Sequence, residues 1–313
     1  MIAAGERVAA ARDRPLALAA LFAGAVAIAA SPLFVRVSEA GPVSTAFWRV
    51  FLALPILVGW AFFAAPDDRM RARPPTERRQ IILAGFFFAG DLAVWHWSIV
   101  LTTVATATLL ANLAPILVTL AVWLLYRQRP AWRFVSGLAL AVGGVVLLVG
   151  ADLRISNRAL AGDALGVLTA MFYAGYQLTV IGLRRTTSTA RIMAWSGVVT
   201  AALLLPLALA SGERFLPVTA AGWVKLVALA LIAQAAGQSL IAYAMAHLPP
   251  RLSSIGLLLQ PVMAALFAWM LLGETLGALQ FAGAIMVLVG IRIAHQAETT
   301  RTGLQDSGHS KLK

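Results

Sequence analysis

The residues able to do chemistry in this chain are few, because 60% of it is hydrophobic and only 12% is charged. They recur at helical spacing inside apolar stretches. Asp91, Trp95, Ser98 and Thr102 follow one another at steps of four, three and four, which puts them on one face of a helix. Thr108, Asn112, Pro115 and Thr119 repeat the pattern. Further on come Thr169, Tyr173, Tyr176 and Gln177, then Gln234 and Gln238, then Ser253 and Gln260. Polar groups in hydrocarbon turn toward the interior of a bundle. Gathered there, they would line a cavity with aromatic walls and a handful of hydrogen-bonding groups, a lining suited to an amphipathic small molecule. The substrate-contact set read this way is Asp91, Trp95, Ser98, Thr108, Asn112, Tyr173, Tyr176, Gln177, Gln234, Gln238 and Gln260.

Each candidate has a plainer reading. A carboxylate at Asp91 either meets a substrate amine or a coupling proton, or is a hydrogen-bonded structural group. Arg49, about two turns into its helix, either neutralises a substrate carboxylate or reaches outward along its own stem; a structural or gating role is favoured. Pro115 and Pro261 free the carbonyls of Ala111 and Leu257. Such carbonyls line substrate paths, and equally a membrane helix tolerates a proline as a simple kink. Tyr173 and Tyr176 are substrate walls or packing aromatics. His96 points about 140° away from Asp91 by the helical period and reads as a packing group. The glycines read as close helix contacts.

Other chemistries lack their parts. There is no cysteine, and four histidines are scattered. That excludes a thiolate nucleophile and a cysteine-ligated metal, and no metal or cofactor is implied. No His-Glu-x-x-His helix, phosphate-binding Gly-x-x-x-x-Gly-Lys loop or Gly-x-Ser-x-Gly elbow occurs, so neither an enzyme nor a nucleotide-driven pump is expected. The net charge of +12 sits in short segments between apolar runs, so it marks membrane topology and not a nucleic-acid surface.

The elements that must carry these residues are apolar runs long enough to cross roughly 30 Å of hydrocarbon. They are Leu16–Val37, Val43–Ala64, Gln80–Val100, Val104–Leu125, Trp132–Gly150, Leu160–Gly182, Ala190–Ala210, Gly222–Ala244, Leu252–Leu272 and Gly277–His295. Ala27-Ile28-Ala29 resembles a leader cleavage site, but the apolar run continues through Ser31-Pro32-Leu33-Phe34-Val35, so the first segment is expected to stay as a span. Arg7, Arg12, Arg14, the arginines between Arg69 and Arg79, Arg127, Arg129, Arg133, Arg184, Arg185, Arg191, Arg251, Arg292, Arg301, Lys311 and Lys313 fall on one side. Only Arg36, Arg154, Arg158, Arg214 and Lys225 fall on the other. The excess of positive charge places both termini in the cytoplasm.

The halves also repeat. A shift of 146 residues lays Pro115 on Pro261, Trp123 on Trp269, Gly137 on Gly283 and Gly144 on Gly290. Five helices per copy is an odd number, so the copies cross in opposite senses, a recurring plan of secondary transporters. The expected fold is an all-α integral membrane protein with ten transmembrane helices as two inverted repeats, over residues 1–151 and 152–296, with a disordered tail at 297–313.

The stretch Leu271-Leu272-Gly273-Glu274-Thr275-Leu276, with Gln280, Gly283 and Gly290, resembles the end of an EamA domain, as does Gln260-Pro261-Val262 before it. Ala46-Phe47-Trp48-Arg49 resembles the arginine-bearing second helix of the first copy. The chain is thus similar to ten-helix members of the drug/metabolite transporter superfamily, and most similar to YddG-type amino-acid exporters. In the first copy Arg127-Gln128-Arg129-Pro130 stands where the family has a Gly-Glu pair. The resemblance implies an inner-membrane secondary transporter that exports amino acids, aromatic or large neutral ones among them, or related metabolites, by alternating access. Its partners would be that substrate, the lipid bilayer and a coupling proton. A passive channel or facilitator, and more remotely an intramembrane enzyme, are the alternatives.

Overall fold

A computed structural model describes residues 2–63, 74–101, 104–149, 157–184, 186–273 and 277–310. Among them every regular element is helical. With no water to satisfy backbone groups in the bilayer core, a spanning segment must bond its amides internally, and the apolar runs do so as helices. Among the described residues nine are long and apolar enough to cross: α1 (Arg14–Arg36), α2 (Pro42–Phe63), α3 (Pro75–Ser98), α4 (Ala107–Leu125), α6 (Arg158–Leu183), α7 (Thr189–Ala210), α8 (Ala220–His247), α9 (Pro250–Leu271) and α10 (Ala278–Glu298). The tenth, α5 (Trp132–Leu148), is apolar and shorter. Thr102, Glu274 and the arginine-rich loop at 64–73 lie outside the described residues. The last helix is drawn as Ala278–Ser310.

Several spans are broken, and prolines mark the breaks. The α1 span pauses at Ala30 and restarts as Ser31–Arg36 with Pro32 in its first turn. The α4 span breaks after Ala111 and restarts at Ala114 with Pro115 in the first turn. The α9 span breaks after Gly256 and restarts at Leu259, just before Pro261. A proline is favoured at such a restart because its missing N–H is an orphan there in any case. The middle of α8, Ala230–Gln238, is wound as a π-helix.

The inverted repeat is visible in the packing. The α5 and α10 helices pack on each other through two glycine pairs: Gly137 against Gly290, and Gly144 against Gly283. Glycines related by the 146-residue shift therefore meet crosswise, as a twofold axis between two antiparallel helices requires. The α2 and α7 helices form a second self-matching pair, while the α3–α6 contact is matched by α1–α8. The ends of α4 and α9 correspond as well. Arg127, at φ 52°, and Gly273, at φ 69°, both close their helices in the left-handed conformation. The first copy holds this turn with an arginine, at some steric cost, where the second uses the residue that adopts it freely.

The two halves are tied at both ends. At one end Glu77 of α3 pairs with Arg191 of α7 at 3.2 Å. Nearby, buried Arg251 reaches Glu298 at 3.8 Å and donates to the Gln128 carbonyl. At the other end two carboxylates exchange places. Glu39, in the α1–α2 connection, accepts from the backbone N–H of Val218 (2.9 Å) and Thr219 (3.0 Å) and from the Thr219 hydroxyl (2.5 Å). Glu213, in the α7–α8 connection, accepts from the Val43 N–H at 3.0 Å. Glu213 thus caps the first turn of α2, where orphan amides and the helix dipole favour a negative charge, while Glu39 holds the two residues that lead into α8, the second of which, Thr219, is that helix's N-cap.

Candidate functional site

A cavity of about 130 Å³ lies in the middle of the bundle. An engineered hole of ~150 Å³ takes up benzene, so this space is of a size for a small metabolite's side chain. Seven of the ten spans contribute: α1, α2, α3, α4, α6, α8 and α9. The sequence pointed to α3, α4, α6, α8 and α9; the structure adds α1 and α2.

Of the residues singled out by spacing, Asp91, Trp95, Thr108, Asn112, Thr169, Tyr173, Gln238 and Gln260 line this cavity, and so do Arg49 and Pro261. Asp91 and Trp95 come from one face of α3. The Trp95 indole stands perpendicular to the His96 ring, with centroids 5.0 Å apart. His96 itself turns away, buried, and donates from Nδ1 to the Leu92 carbonyl one turn back. On α4, Asn112 donates to the Thr108 carbonyl at 2.7 Å, stitching the helix end at the break.

The remaining candidates lie elsewhere. Ser98 is fully buried beyond the cavity and donates to the Gly162 carbonyl at 2.7 Å, pinning α3 to α6. Tyr176 forms a second layer. It stacks on Phe88 at 4.8 Å and on Tyr173 at 6.3 Å, and its hydroxyl approaches the Met193 sulfur at 3.8 Å. Gln177 is buried outside the lining, with neither amide atom hydrogen-bonded. Gln234 is buried too, and its carbonyl accepts from the Arg49 Nε at 3.2 Å, so it holds the arginine instead of facing the cavity. Pro115 is buried at the start of the second piece of α4, and its carbonyl accepts from the Thr119 hydroxyl at 2.7 Å; the residues reaching the cavity from this break are Ala111 and Asn112.

Two ionisable side chains face the cavity, the Arg49 guanidinium and the Asp91 carboxyl. They interact through space, but no ion pair within 4 Å joins them among the described residues. Three further polar atoms on the lining are buried without a hydrogen-bond partner: Ser31 Oγ, Gln238 Nε2 and Gln260 Nε2. Buried polar groups are rarely left unpaired; the Gln238 and Gln260 side chains lie against the Tyr176 and Tyr173 hydroxyls, which leaves the Ser31 hydroxyl as a hydrogen-bonding position for a guest. Phe88, Trp95 and Tyr173 supply the flat apolar walls. Ser31 and its neighbours Ile28, Ala29 and Pro32 were not among the residues picked from spacing. The Ser31-Pro32 pair at the end of an apolar run was the available signal, since a proline within a span marks a broken helix. No cluster of three or more metal-ligating side chains occurs among the described residues.

The comparisons with known proteins agree with this architecture. The EamA-like transporter family matches twice, over residues 15–150 and 160–294. Two uncharacterized transporters of Archaeoglobus fulgidus are similar along most of the chain. One is 25% identical over 276 residues, covering 84% of this chain and 91% of its own; the other is 26% identical over 276 residues, covering 88% and 95%. A probable terminal-alkyne amino-acid exporter of Streptantibioticus cattleyicolor is 26% identical over 203 residues, covering 64% of this chain and 67% of its own. A solved crystal structure superposes with a TM-score of 0.76 over 90% of this chain and 96% of that one, at 20% identity, and so shares the fold. With both halves of the chain matched and the ten helices arranged as two inverted copies, this protein belongs to the EamA-like transporter family, within the drug/metabolite transporter superfamily.

Proposed function

We propose that the protein is a secondary transporter that exports amino acids, aromatic or large neutral ones in particular, by alternating access. One observation carries the reading: Arg49 and Asp91 line one small cavity without pairing. A charge in a low-dielectric site is costly unless it has a partner. An α-amino acid brings both partners at once, its carboxylate for Arg49 and its ammonium for Asp91. The Ser31 hydroxyl and the Gln238 and Gln260 amides supplement the polar end, and Phe88, Trp95 and Tyr173 suit an apolar or aromatic side chain. The similarity to a probable amino-acid exporter supports the same class. Asp91 also offers a coupling proton a place when the ammonium has left. The arginine-rich end of the bundle faces the cytoplasm of a bacterial inner membrane in this reading.

The test is uptake of a labelled amino-acid panel by proteoliposomes, with and without an imposed pH gradient. Accumulation of large neutral amino acids against their gradient, driven by protons, supports the reading. Equilibration without accumulation makes the protein a passive facilitator. No uptake of any amino acid, with uptake of another metabolite class, removes the substrate assignment.

A further inference from the structure

A second concavity lies away from the central cavity. It measures about 420 Å³ and is lined by Leu18 and Phe22 of α1, Leu259 of α9, and Leu288, Ile291, Arg292 and His295 of α10. Its lining is sorted by depth. Leu288, Ile291, Arg292 and His295 recur at three- and four-residue steps, so they share one face of α10. That face runs from hydrocarbon at Leu288 to two basic residues at its far end, over roughly 10 Å at 1.5 Å per residue. The α1 wall runs antiparallel with the same polarity. Phe22 and Leu18 lie deep, and Arg14, one turn further along the same face, acts electrostatically on the His295 ring.

No carboxylate lines this crevice. The acid nearest in sequence on α10, Glu298, is engaged by Arg251. Arg292 forms no ion pair among the described residues and is exposed at the bundle's edge. The crevice is open to the lipid, since Leu288 is 48% exposed on its rim. The Arg292 guanidinium, with Arg14 acting nearby, gives one end of this apolar slot a positive charge beside the His295 ring's hydrogen-bonding nitrogens, a basic pocket of the kind that takes a lipid headgroup. An arginine merely reaching for the interface would need no slot beneath it.

We propose that the crevice between α1, α9 and α10 binds an anionic phospholipid, its phosphate at Arg292 and His295 and one acyl chain along Leu18, Phe22, Leu259 and Leu288. The site is separate from the central cavity, though only one residue apart along α9, where Leu259 lines the crevice and Gln260 the cavity.

Native mass spectrometry of the purified, delipidated protein tests this directly. Dioleoylphosphatidylglycerol, dioleoylphosphatidylcholine and sn-glycerol 3-phosphate serve as probes. One phosphatidylglycerol should be retained several-fold better than phosphatidylcholine. A variant carrying Arg292→Gln and His295→Gln should lose that preference. Leu288→Trp should lower retention with both basic residues intact, and glycerol 3-phosphate should not compete. Equal retention of the two lipids overturns the proposal, as does an undiminished preference in the double variant or displacement by glycerol 3-phosphate. Elution and thermal melting like the parent protein establish folding of each variant. Should the double variant misfold, the lipid comparison on the parent and the Leu288→Trp result decide alone.

Discussion

Gly144 and Gly283 face each other so closely that a Cβ on either would fall 2.6 Å from the other's carbonyl oxygen. This contact and its mate, Gly137 on Gly290, join α5 to α10 and thereby the first repeat to the second. Small residues let helix backbones approach in a membrane, where close packing replaces the hydrophobic drive. Gly144→Ala should therefore destabilise the protein by about 1–3 kcal/mol, the usual cost of overpacking. Gly143→Ala is the control. Its Cβ would meet only the Met286 side chain, at 3.7 Å, so the helix-propensity gain of ~1 kcal/mol is left unopposed. Thermal unfolding in detergent should separate the two neighbours, with equal melting temperatures speaking against the glycine seam.

Arg127 offers the opposite prediction. It holds a left-handed backbone where its repeat mate is Gly273. Arg127→Gly should raise stability by roughly 1 kcal/mol by relieving the Cβ contact. A lowered melting temperature would show that the arginine side chain contributes more than the turn costs.

In the central cavity, Arg49→Gln and Asp91→Asn should each weaken amino-acid transport about tenfold or more, given that a hydrogen bond to a charged group contributes about 1.5–3 kcal/mol. Gln234→Ala should act through Arg49, which it positions from 3.2 Å, and cost less than loss of the arginine itself. The measurement is apparent affinity in proteoliposomes. An unchanged affinity in Asp91→Asn would remove the ammonium assignment.

Trp95→Ala should impair aromatic substrates several-fold and small aliphatic ones less, since an aromatic pair adds about 0.5–1.5 kcal/mol beyond area burial. Equal loss across substrates would mark Trp95 as a packing residue, and full activity would take it out of the site.

The carboxylate clasp predicts a pH dependence. Hydrogen bonds from the Thr219 hydroxyl and backbone hold the Glu39 carboxyl below its ordinary value, with Val218 and Lys225 assisting. A depressed carboxyl contributes its stabilisation above the ordinary value of 4.5, and loses it as pH falls through the lowered one. The clasp should be intact at neutral pH and loosen only in strong acid. Glu39→Gln should loosen it at every pH. Hydrogen exchange of the Val218 and Thr219 amides reads this, and exchange that is fast at neutral pH in the parent protein would contradict it. With no native cysteine, single cysteines at Ser38 and Gln128 also test orientation: an impermeant thiol reagent on whole cells should label the first and spare the second.

Sequence alone determined that this chain lives in a membrane, because apolar runs of this length have no other stable home. It also determined the inverted duplication, since Pro115 and Pro261, or Gly137 and Gly283, keep one register through an odd number of helices. Spacing further placed Asp91 and Trp95 on a common face. Tertiary structure decided which faces converge. Ser98 shares the face of Asp91 by helical count, yet two turns further on α6 crosses and its Gly162 carbonyl takes the hydroxyl. Gln234 and Gln238 lie one turn apart, but only Gln238 reaches the cavity, because Arg49 of α2 occupies the first. Ser31 enters from a break in α1 that looked like the end of an ordinary span. The helical period fixes the angle of a side chain about its own axis. The rotation, tilt and depth of each helix against its neighbours come from packing across distant parts of the chain, and that information is not local to any stretch of sequence.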